Sequence, residues 1–251
     1  MNYEELKNYW LEEEQHAFRG WDFSHIQSRW QHSPLDWDYK SIVTEHLCPT
    51  DQLLDMGAGG GEFLLSLKHP HGNTSVTEAW TPNIQLCMET LAPLGVQVYP
   101  VKEDALLPIA DSSFDIVINR HESYDLREVR RVLKPNGIFI TQQVGGENSL
   151  SLEKRINLEE RIHPAFSLQT EMSQFQDYGF SVKYSNECFP ELKFFDVGAI
   201  VFWAKIIKWS FPEFSVEKNF EKLCALHNDL EQRGFISTTE HRFMIMAQNV
   251  K

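Results

Sequence analysis

Four glycines fall within the seven residues Asp55–Gly61, which read DMGAGGG. An apolar run over 52–56 precedes them and predicts a buried strand, and an apolar stripe from Phe63 to Leu67 predicts a short helix after them. Glycine tolerates positive φ, and its missing Cβ lets the backbone approach a ligand closely. The pattern therefore predicts a strand, a tight turn that borders a ligand, and a helix, in that order.

Strands and helices alternate from about residue 51 onward, and such alternation builds a parallel sheet with helices on both faces. The predicted strands cover 52–56, 74–78, 96–101, 114–119, 137–143, 180–185 and 242–247. We therefore expect an α/β fold with a doubly wound (Rossmann-like), mostly parallel seven-stranded sheet.

Three helices between these strands are predicted from apolar residues at helical spacing. Thr81 and Pro82 predict the N-cap and the first residue of one helix, and Asp125 with Glu128 predicts the start of another. A turn is predicted at 135–137, where the sequence is Pro-Asn-Gly. The residues predicted to face the core are Ile84, Cys87, Met88 and Leu91 in the first helix, Leu126, Val129 and Leu133 in the second, and Leu168, Met172 and Phe175 in the third.

Two segments depart from this alternation. Residues 1–49 are predicted to form a helical N-terminal cap or lid, and 50–251 the main domain. Within that domain 190–234 is a helical insertion before the last strand, longer than an ordinary connection and hence a candidate lid over a substrate. Its helices are predicted over Val197–Trp209 and from the cap Ser215 to Gly234. The aromatic residues of the first segment predicted to face inward are Trp10, Phe18, Trp21, Phe23, Trp30 and Trp37.

The charge and apolar content indicate which partners to expect. A formal net charge of −13 disfavours binding to phosphate backbones, so nucleic acid is an unlikely partner. No basic segment followed by an apolar run opens the sequence, and the most apolar stretch, Val197–Trp203, is too short to span a bilayer. We therefore expect a cytoplasmic chain without a membrane segment.

The cysteines add no structural site. They lie far apart and form no CxxC pair, which predicts neither a zinc site nor a disulfide framework and fits a reducing compartment. The four cysteines are Cys48, Cys87, Cys188 and Cys224.

The glycine spacing separates this turn from the dinucleotide fingerprint of dehydrogenases. A GxGxxG pattern that starts at Gly57 needs glycine at position 62, where the chain has Glu62. A pattern that starts at Gly59 needs glycine at position 64, where the chain has Leu64. The turn is therefore DxGxGxG, and a nicotinamide cofactor is disfavoured.

Leu53–Leu67 resembles motif I of the class I S-adenosylmethionine-dependent methyltransferases, in the type 11 branch. Glu78 ends the second predicted strand, where this family places an acid that binds both ribose hydroxyls of the cofactor. The blocks 114–117 and 132–137 resemble the next two blocks of the family, so that the resemblance covers roughly residues 50–145. It implies S-adenosylmethionine as the cofactor.

The resemblance also implies individual roles. Asp55 orients the glycine loop and approaches the cofactor amino group, Asp104 lies beside the adenine amino group, and the Ala105 N–H faces the ring. Asn119 lines the methionine end of the pocket through its backbone. The residues implied to bind the cofactor are Asp55, Gly57, Ala58, Gly59, Glu78, Ala79, Asp104, Ala105 and Asn119.

A general base and acceptor contacts are expected after the fourth strand and in the outer segments. His121 is the candidate base, because its ordinary pKa lies near neutrality; the alternative is a histidine held by a backbone carbonyl, or one touching the cofactor without proton transfer. Candidate acceptor-binding residues, each of which could equally serve packing or surface ion pairing, are Arg29, Tyr39, Arg120 and Trp203.

The acceptor class follows from what the sequence lacks. No Asp- or Asn-Pro-Pro-aromatic motif follows the fourth strand, and no Pro-Cys pair is present, which disfavours methylation of DNA bases. A small-molecule acceptor and direct in-line transfer are favoured, with an RNA or protein acceptor as one alternative. The other alternative is a non-catalytic module that senses S-adenosylmethionine or serves a partner. We expect a monomer or a homodimer.

Overall fold

A computed structural model describes residues 2–18, 22–157 and 165–250 of the chain. Backbone proximity divides the chain into two compact units. The unit that we call the sheet unit comprises Leu35–Gly145, Ala165–Cys188 and Arg242–Lys251. The unit that we call the accessory unit comprises Met1–Pro34, Gly146–Pro164 and Phe189–His241. The role of 1–49 and 190–234 as cap and lid stays a prediction.

The strands of the described residues are β1 Trp30–His32, β2 Leu53–Met56, β3 Thr74–Glu78, β4 Gln97–Pro100, β5 Phe114–Arg120, β6 Leu133–Val144, β7 Phe180–Cys188, β8 Glu191–Phe194, β9 Ile236–Thr239 and β10 Arg242–Asn249. The helices are α1 Tyr3–Gln15, α2 Tyr39–His46, α3 Glu62–Ser66, α4 Thr81–Thr90, α5 Leu126–Val132, α6 Leu150–Ile156, α7 Leu168–Asp177, α8 Val197–Ile206 and α9 Val216–Arg233. Short 3-10 turns lie at Ser24–Ile26, His71–Asn73 and Ala92–Leu94.

The sheet unit contains one seven-stranded sheet in the order β4-β3-β2-β5-β6-β10-β7. β10 runs antiparallel to both of its neighbours, and the other pairs are parallel. The predicted doubly wound, mostly parallel sheet is therefore confirmed. Met56 pairs with Thr77 of β3 and with Asn119 of β5, so these three strands end at the same edge.

Both faces of this sheet are covered. Successive side chains of a strand point to opposite faces, so a fully buried strand needs apolar packing on both. Leu53 of β2 packs in a cluster with Val43 and Cys87. Its neighbour Leu54 packs in a second cluster, on the opposite side, with Phe139 and Phe175. Since all of β2 is buried, the central strands hold the residues at their carboxyl ends on a rigid base.

Three sequence predictions for the sheet unit were wrong in detail. The N-cap of α4 is Trp80, without a side-chain cap bond, so Thr81 is helical rather than capping. Met88 is 52 % exposed, because the buried side of α4 is formed by Asn83, Cys87 and Leu91 at a spacing of four. Leu133 is the first residue of β6, not the end of α5.

The turn predicted at 135–137 also lies inside β6. Phe114 pairs with Leu133, but Ile116 pairs with Ile138, so the register shifts there by three residues on the β6 side. Asn136 adopts a φ of 65° within this irregularity. The turn residues therefore produce a bulge in a strand instead of separating a helix from one.

The accessory unit has its own apolar core and its own small sheet. The strands β1, β8 and β9 form a three-stranded antiparallel sheet, with Trp30 paired to Phe194 and Phe194 paired to Ile236. The helices α1, α8 and α9 supply most of the apolar cluster beside it. These segments are mainly helical, as expected, but their three strands of three or four residues and helix α6 were not predicted from the sequence.

The aromatic residues of the first segment have mixed positions. Trp10 and Trp37 are buried as predicted, Phe23 and Trp30 are partly buried, and Phe18 is 41 % exposed, which contradicts the prediction for it. The predicted inward position of Trp21 lies outside the described residues. Helix α8 ends at Ile206, three residues before the predicted end at Trp209.

None of the helices in residues 2–18, 22–157 and 165–250 has the length and apolar character that a membrane span requires. Within the same residues, no group of three or more histidine, cysteine or acidic side chains could hold a metal ion. All four cysteines are free thiols.

Candidate active site

The glycine loop follows β2 directly and leads into α3. Gly57, Gly59 and Gly61 have φ values of 71°, 59° and 82°, a region that other residues rarely adopt. The Gly57 N–H donates to the Thr77 carbonyl over 3.0 Å, which holds the loop beside β3. An added Cβ at Gly59 would meet no atom within 4 Å, so the loop borders open space at this residue.

Glu122 explains why Gly57 must be a glycine. An added Cβ at Gly57 would lie 2.4 Å from Cγ of Glu122, far inside van der Waals contact. The Glu122 side chain, which follows β5, therefore packs directly against the glycine loop. Burial raises the pKa of Glu122 above its ordinary value.

Asp55 lies in β2 one residue before the strand ends and is 5 % exposed. Its carboxyl group has no hydrogen-bond partner among the described residues. Burial raises its pKa to about 7, with the charge of Arg120 acting in the opposite direction and that of Glu78 in the same one. A buried carboxyl group without a partner is costly, which is typical of a group that serves a ligand.

Glu78 ends β3 on the other side of the glycine loop and is almost fully buried. Its Oε1 accepts the Gly59 N–H over 2.6 Å and the Asn83 amide over 3.3 Å. Its Oε2 has no hydrogen-bond partner among the described residues, so this oxygen can accept a hydrogen bond from a ligand. Ala79 follows it and is exposed.

Asp104 and Ala105 lie in the connection after β4. Asp104 is half-buried, and its Oδ2 accepts the Ser123 hydroxyl over 2.5 Å. Ala105 is exposed. Through Ser123, the acid after β4 contacts the segment after β5, so both lie at the same edge of the sheet as the glycine loop.

Asn119 is fully buried near the carboxyl end of β5. Its Oδ1 accepts the Thr141 hydroxyl over 3.0 Å and the Gln143 amide over 2.6 Å. The hydroxyl of Tyr39 donates to the Asn119 carbonyl over 3.0 Å and accepts the Asn119 N–H over 3.2 Å. Tyr39 is buried, which raises its pKa; it fixes the backbone of β5 rather than facing an acceptor.

His121 lies immediately beyond β5 with a φ of 64° and is held by Gln142 of β6. The indole N–H of Trp37 donates to Gln142 Oε1 over 2.8 Å. The Gln142 amide nitrogen, which can only donate, lies 3.0 Å from His121 Nε2. Nε2 is therefore the acceptor, and in the neutral ring the proton is on Nδ1.

This arrangement argues against His121 as a general base. The ring nitrogen that could take a proton is already bonded to the Gln142 amide. Although His121 is an exposed residue, desolvation by the surrounding protein, and then the charges of Arg242 and Arg120, lower its pKa. The geometry favours a neutral ring that donates through Nδ1.

Arg120, the last residue of β5, is exposed and lies over the ring of Phe63 at 4.5 Å from Arg120 Cζ to the ring centroid. Phe63 belongs to α3, directly after the glycine loop. The Arg120 guanidinium is thus close enough to the loop to lower the pKa of Asp55.

Arg29 and Trp203 belong to the accessory unit. Nε and Nη2 of Arg29 donate to the two carboxylate oxygens of Asp196 over 2.7 and 2.6 Å, Nη2 also donates to Tyr9 over 2.6 Å, and Nη1 donates to Glu13 over 2.7 Å. Trp203 is buried in the apolar core of this unit. These contacts correspond to the ion-pairing and packing roles, and the two residues remain acceptor contacts only as predictions.

A family model for a methyltransferase domain matches residues 54–141, which contain the glycine loop, Glu78, Asp104 and Asn119. A solved S-adenosylmethionine-dependent methyltransferase from Methanosarcina mazei is similar in structure, with 17% identity, a TM-score of 0.50, and coverage of 83% of this chain and 97% of that one. Over residues 54–141 the chain therefore matches the methyltransferase-domain family.

Two further structures show how far the fold likeness extends. A Bacillus halodurans protein, provisionally described as a methyltransferase, has 14% identity, a TM-score of 0.59, and coverage of 85% of this chain and 99% of that one. A protein of unknown function from Deinococcus radiodurans has 12% identity, a TM-score of 0.59, and coverage of 98% of both chains. At such identities the likeness is one of fold. No curated protein matches the chain.

S-adenosylmethionine, the cofactor that the methyltransferase motifs imply, carries an ammonium group and two ribose hydroxyls, and the residues at this edge fit both. The unpartnered carboxyl group of Asp55 suits a cation, and the free Oε2 of Glu78 suits a hydroxyl donor. The open space beside Gly59 leaves room for a ligand against the backbone.

Four residues to which the sequence analysis assigned no site role hold this site together: Asn83, Glu122, Trp37 and Gln142. Asn83 donates to Glu78 and Glu122 packs against Gly57, so both contact motif residues from outside the motifs named above. Gln142 lies opposite Arg120 in the pairing of β5 with β6, and the three-residue register shift in β6 kept its closeness to His121 from being predicted.

Proposed function

We propose that this chain transfers a methyl group from S-adenosylmethionine to a small-molecule acceptor by direct in-line displacement. The observation that carries the proposal is the Asp55 carboxyl group, buried without a partner beside a glycine loop that borders open space. Folding leaves such a group uncompensated only at a cost, which a cationic ligand offsets.

In this proposal each residue at the carboxyl edge of the sheet binds a different part of the cofactor. Asp55 binds the ammonium group and Glu78 Oε2 the ribose hydroxyls, while Asp104 and the Ala105 N–H face the adenine. Gly57, Ala58 and Gly59 provide the close backbone approach, with Asn119 and Ala79 lining the same pocket. When bound, the cofactor supplies a methyl group already activated on a sulfonium, so the protein's main task is to position the acceptor and exclude water.

His121 has a positioning role in the proposal. A neutral imidazole with its proton on Nδ1 donates one hydrogen bond without adding a positive charge beside the sulfonium. Arg120 lies on the same strand and supplies the positive charge near Asp55. His121 is thus assigned as a hydrogen-bond donor and not as a general base. Measuring the protonation state of its ring tests this assignment.

A two-stage experiment tests the function. Calorimetry with S-adenosylhomocysteine measures binding, and labelled S-adenosylmethionine with fractions of a metabolite extract measures acceptor-dependent turnover. We expect binding in the micromolar range, about −8 kcal/mol, and product formation with a low-molecular-weight fraction. Binding without turnover would indicate a non-catalytic sensor, and turnover only with the RNA or protein fraction would indicate those acceptors. Absence of binding would overturn the proposal.

A further inference from the structure

A recess of about 250 Å³ lies in the sheet unit beside the segment that follows β5. Three carboxylate residues line it, Glu122, Asp125 and Glu171, and no lysine, arginine or histidine among the described residues does. Asp125 is paired with Arg127 over 2.7 Å, whereas Glu122 and Glu171 have no basic partner among the described residues, and these two carboxylates suit a cationic guest.

Gln143 supplies an independent indication of a ligand. It lines the recess and is 5 % exposed. Its amide nitrogen is fully used, by Asn119 at 2.6 Å, Thr141 at 2.9 Å and the Glu122 carbonyl at 3.0 Å. Its Oε1 has no hydrogen-bond partner among the described residues. With the nitrogen engaged, only the amide oxygen of this recess-lining side chain is left to meet a donor.

Glu171 of α7 is the most buried carboxylate of the recess, at 4 % exposure. The Tyr124 hydroxyl donates to one of its oxygens over 2.6 Å, and the Gln174 amide donates to the other over 2.9 Å. Burial raises its pKa. The two neutral donors fix the carboxylate in place and do not cancel its charge, so it can still attract a cation.

Aromatic rings complete the lining. Tyr124, Phe166 and Tyr178 all border the recess. Carboxylates combined with aromatic faces are the side chains that recognise organic ammonium groups, through charge and cation–π attraction. A metal ion would instead call for converging oxygen ligands without aromatic walls.

The recess is adjacent to the glycine loop, since Glu122 borders both. Its side chain lines the recess and packs against Gly57.

We propose that the recess binds a small organic amine in its ammonium form and that this amine is the methyl acceptor. The second half of this statement rests on the proposed function. The Glu122 carboxylate first takes one proton from the ammonium group, because only the neutral amine has the lone pair that attack requires. The amine nitrogen then forms a bond to the methyl carbon, the carbon–sulfur bond breaks with its electron pair left on sulfur, and the product is a methylated ammonium ion.

Benzylammonium is a suitable probe. Benzyl alcohol and benzoate have a similar shape and serve as the neutral and the anionic control ligand. We expect calorimetry or saturation-transfer NMR, at saturating S-adenosylhomocysteine, to show benzylammonium binding at least tenfold tighter than benzyl alcohol and benzoate not binding. Glu171→Gln should weaken benzylammonium binding about tenfold. Glu89→Gln, which removes an exposed carboxylate on α4, should leave it unchanged.

A second variant guards against a folding defect in Glu171→Gln. Tyr178 is 36 % exposed, so Tyr178→Leu removes one ring at little risk to the fold; we expect several-fold weaker benzylammonium binding. Equal binding of benzylammonium and benzyl alcohol, or no effect of either variant, would overturn the amine site. Loss of S-adenosylhomocysteine binding with selective amine binding intact would instead overturn the proposed function alone.

Discussion

The amide nitrogen of Gln142 lies 3.0 Å from Nε2 of His121, and the amide cannot turn over because Trp37 donates to its oxygen. One indole N–H, two residues before α2, thus determines which nitrogen of a histidine beyond β5 carries the proton. The hydrogen bond from Gln142 places the proton of the neutral His121 ring on Nδ1, and the lowered pKa keeps the ring neutral.

Replacing Trp37 by phenylalanine removes the only donor that fixes the amide of Gln142 among the described residues. The amide oxygen can then face His121, so a population with the proton on Nε2 should appear. Long-range ¹H–¹⁵N NMR distinguishes the two tautomers, and the wild type should show the Nδ1–H form without titrating between pH 5.5 and 8. Trp10→Phe, in the accessory unit, is the control. A wild-type ring that titrates near pH 6.5 would refute this interpretation.

Asp55→Asn should separate stability from binding. The pKa of Asp55 is about 7 in the folded chain, against about 3.9 when unfolded, so the wild type loses stability as pH rises from 4 through 7. The variant does not titrate and should be more stable by about 2 to 4 kcal/mol at pH 8, with no difference at pH 4. Denaturant unfolding at both pH values measures this.

The same substitution should weaken cofactor binding. A cationic ammonium group binds the ionised form of Asp55, so wild-type affinity for S-adenosylhomocysteine should fall as pH decreases from 8 to 6. In Asp55→Asn the affinity should be lower by roughly tenfold and should not change over this range. Calorimetry at three pH values is sufficient, and equal pH profiles for the two proteins would contradict the assignment.

Glu78→Gln should reduce affinity for S-adenosylhomocysteine by about ten- to hundredfold, since a charge-assisted hydrogen bond contributes about 1.5 to 3 kcal/mol. Its contact with the Gly59 N–H survives through the amide oxygen, so the fold should persist. Glu89→Gln on α4 removes the same charge from an exposed position and should bind normally. A Glu78 variant with wild-type affinity would exclude the ribose contact.

Gly59→Ala and Gly95→Ala form a matched pair. Both glycines have positive φ, at 59° and 99°, and an added Cβ would meet no atom within 4 Å at either position. Each variant should lose about 1 kcal/mol of stability from backbone strain. Only Gly59→Ala should lose cofactor affinity, because its methyl group occupies the space left for the ligand. Equal affinities in the two variants would mean that the cofactor lies elsewhere.

Arg29→Ala tests the accessory unit. It leaves Glu13 and Asp196 without their guanidinium partner, in a cluster that is only partly buried, so we expect a loss of about 1 to 3 kcal/mol in unfolding free energy. Affinity for S-adenosylhomocysteine should stay within twofold of wild type. A large loss of affinity at unchanged stability would restore Arg29 as a cofactor or acceptor contact.

The seven strands of the sheet unit were predictable from their apolar and β-branched residues; β3, in which Val76 is the one apolar residue, depends on Thr74 and Thr77 as well. The glycine loop and the acids at the ends of β3 and β4 were predictable from their order along the chain. Strands β1, β8 and β9 were not, since three or four residues carry too little periodicity and their partners lie far apart in sequence.

The side-chain network of the site was also beyond sequence reasoning. That Trp37 reaches Gln142, or that Glu122 lies against Gly57, depends on the register of β5 with β6 and on where α2 packs. His121 was singled out for the pKa of free imidazole, yet its neighbours determine both its tautomer and its charge. Motif patterns locate residues at an edge but do not specify what each one touches.

Strand β10 lies between β6 and β7 although it follows both along the chain, with 189–241 synthesised before it. While the polypeptide is emerging from the ribosome, the edge of β6 stays unpaired until this late segment arrives. A nascent chain therefore exposes a template for aberrant strand pairing while residues 145–241 are being made, and the sheet unit cannot close before the accessory unit has been translated. Expression yield should accordingly depend more on chaperones than the final stability of the sheet suggests.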